Sequence, residues 1–405
     1  MEIEIQSGRA AIQGTIQPGF EQVLEAFSRN FSEFGEVGAS VCLSVEGETL
    51  VDLWGGFVRD AEDAQPWTAD TVSIVFSCTK AATALSAHLL IDRGLMDLNA
   101  RVAEYWPEFA TNGKQDVTVA MMLNHSAGVP ALREPVQRGG FTNWDYMVER
   151  LAAEAPFWPP GTRNGYHMST FGWTVGELVR RVSGRSLGTF FREEIARPLG
   201  IDFWIGLPDS EHHRVAPMIP WVPERGAPMA EFTRALRGGL KAGSESLQYL
   251  ALMNTGGHRS DTPEALRAEI GGGGGVANAR ALAGMYAPLA NGGSHGGVKL
   301  LSPDHIVRMS AVSVATEVDA TLLMPSRFAL GFMRSMDNRH RQAGHMETMV
   351  LGHAAFGHAG AGGSVGFADP EAHLAFGYSM NRMGAGTVGD LRSAGPLMAT
   401  YAAMG

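Results

Sequence analysis

Ser77 and Lys80 stand three residues apart in Phe76-Ser77-Cys78-Thr79-Lys80, and their types and spacing suit nucleophilic catalysis. A serine hydroxyl is a poor nucleophile until a base removes its proton. At a helix N-terminus it lies near free backbone N–H groups and the positive end of the helix dipole. A spacing of three then puts Lys80 on the same helix face, about 5–6 Å away between Cβ atoms. The Ala- and Leu-rich residues that follow would desolvate its ammonium and let it share protons with Ser77. Alone, the spacing also fits a helix-capping serine followed by a solvated lysine.

A second group must carry the proton to the leaving group. Tyr166, in Tyr166-His167-Met168, follows the turn-like Trp158-Pro159-Pro160-Gly161-Thr162 and precedes a helical stretch at 170–182. Displayed on that loop it could reach a serine elsewhere in the fold; an ordinary packed tyrosine fits the same spacing. The third element is His358-Ala359-Gly360-Ala361-Gly362-Gly363. Small residues at a strand edge present N–H groups to an oxyanion without obstruction, so the hole is assigned to the N–H groups of Ser77 and Ala361.

Other candidates are weaker. Gly362-Gly363-Ser364-Val365-Gly366 has the Gly-x-Ser-x-Gly form, but that motif needs a strand–turn–helix context, and a strand-like run follows instead. Cys78 would point off the catalytic face and pack as a small hydrophobe. Thirteen histidines invite a metal, yet there is no His-Glu-x-x-His, and His345, His353 and His358 have no ligand-like spacing. Gly271–Gly275 lacks the Lys-Ser/Thr of a phosphate loop and reads as a flexible turn before a helix. Trp158, Trp221, Phe141 and Phe332 could line an acyl pocket or serve as packing.

These residues need a scaffold. The chain has 405 residues, 45% of them hydrophobic and only 18% charged, so it should fold throughout around a large core. The net charge of -10, with no basic block, argues against nucleic acid as a partner. No window approaches a membrane span, and the start lacks the basic and apolar regions of a secretory signal, so a cytoplasmic location is expected. Two cysteines give no disulfide framework.

Residues 20–31 have helical spacing, and two strand-like runs flank Glu46-Gly47 as a hairpin. A short apolar run at 72–76 leads into a helix to Ile91, closed by Gly94. Residues 95–270 are mostly helical pieces, with long loops expected from Ile205 to Thr262. Strand-like runs return at Phe328–Met333, 367–369 and His373–Met380, before a last helix near 390–404. An α+β fold follows, in which a sheet takes strands from both ends of the chain. We expect one discontinuous domain of residues 1–90 and 271–405, and a mainly helical insertion at 91–270.

Taken in order, FSCTK at 76–80, VTVAMMLNHSAGVP at 117–130, PPGTRNGYHMSTFGWTVGELVRRVSG at 159–184, IARPLGI at 195–201, GGGVANARALAGMYAPLANGG at 273–293, LLSPDHIVRM at 300–309, LGFMRS at 330–335 and FGHAGAGGSVGFADP at 356–370 resemble the class C β-lactamase and penicillin-binding-protein superfamily. Within it the chain looks like a family VIII carboxylesterase, and the resemblance spans nearly its full length. It implies a β-lactamase-like fold: an antiparallel sheet flanked by helices as an α/β sandwich, plus an all-helical domain, with the active site between them. It also implies acylation of Ser77, proton movement by Lys80 and Tyr166 with the first base left open, and release of the acid by water.

Two departures set the expected substrate. The resembled β-lactamases carry Tyr-x-Asn where this chain has Tyr166-x-Met168. They carry Lys-Thr-Gly where it has His358-Ala359-Gly360. A lysine is a permanent cation for a substrate carboxylate, whereas histidine is largely neutral near pH 7. With His358 and Gly360 at the substrate, a small uncharged ester of short to medium acyl length is expected, with weak β-lactam cleavage on the side and no cofactor. A β-lactamase, a D-alanyl peptidase, an acyltransferase and a non-catalytic binding protein are the alternatives.

Overall fold

The alternation Glu2-Ile3-Glu4-Ile5 places isoleucines on one face of an extended segment, and the chain opens with strand β1 (Glu2–Ser7). It pairs antiparallel with β2 (Ala10–Ile16), an edge hairpin that the sequence reading did not anticipate. The computed structural model describes residues 1–222, 231–339, 348–384 and 390–405, without the side chains of 231–235.

Next come β3 (Gly38–Val45) and β4 (Glu48–Gly56), the expected hairpin about Glu46-Gly47. The sheet is completed from the far end of the chain by β5 (Val314–Thr316), β6 (Ser326–Phe328), β7 (Met333–Arg334), β8 (Phe356–Ala359), β9 (Val365–Asp369) and β10 (Leu374–Met380). The order of the ten strands is β1-β2-β4-β3-β10-β9-β8-β7-β6-β5, with every neighbouring pair antiparallel. The two ends of the chain meet where β3 pairs with β10, with Val41 opposite Tyr378. The run expected as one strand at Phe328–Met333 is a tight turn instead, with Phe328 paired to Met333. Ala329-Leu330-Gly331 supplies the reversal, and Gly331 has φ +87°.

Alternation along β3 feeds two cores. Val41 and Leu43 join Val23 and Phe27 of helix α1 (Glu21–Ser32). Cys42 faces the other way, against Ala279 and Ala283 of the helix at Ala279–Ala290. The C-terminal helix at Leu391–Met404 packs on α1. The architecture is α+β, with helices on both faces of an antiparallel sheet.

The segment before Ser77 belongs to a separate three-stranded sheet, in which Val276–Ala277 lies between Ser73–Ile74 and Phe203–Trp204. Helix α2 (Thr79–Asp92) follows, and its residues up to Ile91 are buried. It ends in a hydrogen-bonded cap, Gly94 N–H to Ile91 O at 2.9 Å and Leu95 N–H to Leu90 O at 2.9 Å. The residues between 95 and 270 contribute helices at Val119–Leu123, Trp144–Ala153 and Phe171–Ser183, as their periodicity predicts. Ile205–Thr262 is less loop-rich than expected, because helices form at Glu231–Lys241 and Leu247–Leu252. Ser246 caps the second by accepting from Tyr249 N–H. Residues 223–230 lie outside the described part.

Candidate active site

Phe76 takes a left-handed conformation, φ +43°, at the turn from the small sheet into α2. Such a value is uncommon for a residue with a side chain and marks backbone strain. The turn lifts Ser77 to a partly exposed position, while Cys78, Thr79 and Lys80 are buried. Thr79 Oγ1 donates to Phe76 O at 2.5 Å and accepts from Gly275 N–H at 2.8 Å, which ties the turn to the glycine run.

Lys80 has no exposed surface. Its Nζ lies 3.2 Å from Ser77 Oγ, 2.5 Å from Met168 O and 2.5 Å from Gly272 O. Burial lowers the ammonium to about 7. A neutral amine has two hydrogens and one lone pair. In that neutral form the two carbonyls would take the hydrogens and the lone pair would be left for the Ser77 hydroxyl proton, whereas the protonated amine donates to Ser77 Oγ.

Tyr166 is 4% exposed, with its ring centroid 4.7 Å from Lys80 Nζ and its hydroxyl 3.4 Å from His358 Nε2. Burial pushes the phenol up, against a smaller lowering from its hydrogen bond with Ser77, so it is neutral. His358 Nδ1 lies 2.7 Å from Ala359 O. A carbonyl only accepts, so Nδ1 carries the imidazole proton and Nε2 accepts from the phenol. Burial, with a smaller contribution from Lys80, lowers His358 to about 3.

Ala361, partly exposed, lies in the turn between β8 and β9. Gly360 N–H donates to Ser364 O at 2.7 Å, and Ser364 Oγ donates to Val75 O at 3.0 Å. That second bond locks the turn to the strand that leads into Ser77. A Cβ on Gly360 would fall on both Ser364 Oγ and the Val75 carbonyl. Ser364 itself is 1% exposed and precedes a strand, so the Gly-x-Ser-x-Gly match is structural. Cys78 donates through Sγ to His358 O at 3.2 Å, and burial raises its thiol to about 12.

The structure therefore brings Ser77, Lys80, Tyr166 and His358 together, with Gly360 against the Val75 carbonyl and Ala361 next to it in the chain. Of the aromatic residues, Phe332 and Phe141 are held in packing contacts of their own. Phe332 has no exposed surface and packs on His88 and Phe356. Phe141 packs edge-on to Trp173 and beside His258, in a surface cleft shared with Trp144 and Arg180. Trp158 donates to Ser126 O at 3.3 Å and meets His167 edge-on, one residue from Tyr166. Trp221 is 38% exposed. His345 lies outside the described residues, among which no group of three or more His, Cys, Asp or Glu could hold a metal ion.

Two participants escaped the sequence reading because they are main-chain carbonyls, those of Met168 and Gly272. The glycine run was the available signal. It is a packed turn: Gly271 O accepts from Thr83 Oγ1 at 2.8 Å, and a Cβ on Gly272 would fall on Ser169 O.

The sequence matches the family described as Beta-lactamase over residues 27–395. The chain belongs to that family. It is 36% identical over 386 residues to a protein of Mycobacterium tuberculosis named esterase/beta-lactamase LipL, covering 91% of this chain and 83% of that one. A solved structure described as a family VIII carboxylesterase is 40% identical, with a TM-score of 0.84, covering 97% of this chain and 99% of the other. A penicillin-binding protein homologue from Caulobacter crescentus is 36% identical, with a TM-score of 0.85 and coverage of 97% and 99%. No helix of the described residues is long and apolar enough to cross a membrane.

Proposed function

We propose that this protein is a serine carboxylesterase that hydrolyses uncharged esters of short to medium acyl chains through an acyl-enzyme on Ser77. One observation carries the reading: a fully buried Lys80 amine, bound by two carbonyls, faces the Ser77 hydroxyl at 3.2 Å. That arrangement supports Lys80 as the first base. Ser77 Oγ attacks the ester carbonyl as its proton passes to Lys80. The N–H groups of Ser77 and Ala361 receive the oxyanion. Tyr166 gives its proton to the leaving alkoxide and is refilled from the lysine. Water then attacks the acyl-enzyme by the reverse proton path, and the acid leaves.

The neutral His358 supports the choice of substrate, since it offers no cation to a carboxylate. The relatives named as esterases support it as well. We assign residues 1–90 and 271–405 to one domain and 91–270 to a helical insertion. The strands of the large sheet, confined to 2–56 and 314–380, support that division. A cytoplasmic location accords with both cysteines being free thiols.

The test is hydrolysis of p-nitrophenyl butyrate and nitrocefin by wild type, Ser77→Ala and Ser364→Ala. Loss of ester cleavage in Ser77→Ala alone, with poor nitrocefin turnover by wild type, is expected. A dead Ser364→Ala that retains its fold, beside an active Ser77→Ala, would overturn the assignment.

A further inference from the structure

Asp319 sits in the turn between β5 and β6 with no exposed surface. Its carboxyl group accepts from Tyr166 N–H at 3.0 and 3.1 Å, Thr321 N–H at 2.9 Å, Leu322 N–H at 2.9 Å and Ser326 Oγ at 3.1 Å. All four donors are neutral. Burying a carboxyl group among neutral donors is costly unless each of its positions is used, and here both oxygens are. Three of the donors belong to its own turn and β6. The fourth is the main chain of the tyrosine, 153 residues earlier.

Neighbouring contacts point the same way. Ala320 N–H donates to Asn164 O at 3.1 Å, and Ser326 Oγ also reaches Asn164 Oδ1 at 3.0 Å. Two residues along β6, the Phe328 ring stacks on Tyr166, with centroids 5.7 Å apart and planes 10° from parallel. One turn and its strand thus grip the peptide of Tyr166 through Asp319 and its ring through Phe328.

We infer that Asp319 is a positioning residue for the reaction: it anchors the main chain of Tyr166 and so fixes the phenol against His358 and Ser77. This rests on the proposed proton-shuttle role of Tyr166. Misplacing a catalytic group by about 1 Å costs on the order of a hundredfold in rate. A residue that acts only through Tyr166 has nothing left to lose once the hydroxyl is gone.

The experiment is a double-mutant cycle on full-length protein, with Asp319→Ala, Asp319→Asn and Ser326→Ala each made with Tyr166 and with Tyr166→Phe, reading kcat and KM for p-nitrophenyl butyrate beside thermal unfolding. With Tyr166 present, Asp319→Ala should lower kcat by about 10- to 100-fold and change KM by less than about threefold. Asp319→Asn, which keeps an acceptor for the Tyr166 N–H, should recover most of the loss. In Tyr166→Phe the same substitutions should change kcat by less than about twofold. Should Asp319→Ala fail to fold, Ser326→Ala carries the same comparison, with an expected loss of about threefold or more that vanishes in Tyr166→Phe. Equal losses in both backgrounds, or an Asp319→Ala as active as wild type, would overturn the inference. A Tyr166→Phe enzyme with wild-type turnover would instead overturn the proton-shuttle reading beneath it.

Discussion

Gly272 O stands 2.5 Å from Lys80 Nζ, and the Gly272 main chain lies against that of Ser169, one residue from the second carbonyl on the lysine. A side chain at 272 would push the two carbonyls apart. We therefore expect Gly272→Ala to destabilise the fold by about 1–3 kcal/mol and to lower ester turnover by more than that loss explains at a temperature where the variant stays folded. Thermal unfolding and kcat for p-nitrophenyl butyrate read the two effects; unchanged turnover would show that the lysine does not need this carbonyl.

Lys80 couples stability and activity to one proton. Its folded value of about 7 lies below its ordinary 10.5, so between those limits the unfolded chain binds more protons. Stability should fall as pH drops from about 10.5 to about 7 and be independent of this group below that. Activity should rise with pH through about 7 as the amine becomes free. Lys80→Met should be inactive yet more heat-stable than wild type at pH 6, because it removes a buried amine that must either shed its proton or keep a desolvated charge. A pH–rate profile flat from 5 to 9, or a Lys80→Met that melts lower, would count against this account.

His358 titrates near 3, so it should contribute no inflection between pH 5 and 8. Replacing it with a permanent cation should change substrate preference. His358→Lys is expected to raise the ratio of nitrocefin to p-nitrophenyl butyrate kcat/KM by about tenfold, about 1.4 kcal/mol. An unchanged ratio would mean that position 358 does not face the substrate carboxylate.

Phe332 tests core against pocket. With no exposed surface and His88 and Phe356 as neighbours, Phe332→Ala should cost about 3–5 kcal/mol. It should leave the preference between acetyl, butyryl and hexanoyl esters unaltered. A changed chain-length profile with little loss of stability would return this residue to the substrate site.

Ser77, Lys80 and Tyr166, the trio proposed for catalysis, stand out in the sequence because their side chains carry the chemistry and their motifs occur in the family's order. Helices α1 and α2 were legible through their periodicity. The β1–β2 hairpin leaves its mark only in the short alternation Glu2-Ile3-Glu4-Ile5, which suits an extended segment but does not name its partner strand. The carbonyls of Met168 and Gly272 leave no trace in residue type, since any residue supplies a carbonyl. Asp319 was invisible for another reason: its partner is a backbone N–H far away in the chain, a pairing that exists only once β6 lies beside the Tyr166 loop. Among aromatic residues, composition alone does not separate Phe332, a core residue, from one that meets substrate.

The bond from Ser364 Oγ to Val75 O spans 289 residues, and that from Cys78 Sγ to His358 O spans 280. Contacts this distant in sequence close late, because their loop entropy must be met before they return any stability. During synthesis at about 5–20 residues per second, the nucleophile emerges well before the turn that carries Ala361. The nascent chain therefore holds Ser77 and Lys80 for tens of seconds without the Ala361 N–H proposed for the oxyanion hole. On the proposed assignment, acyl transfer would begin only once the last third of the polypeptide has left the ribosome and its final strand has paired with β3, so the seam that completes the sheet would also time the onset of reactivity.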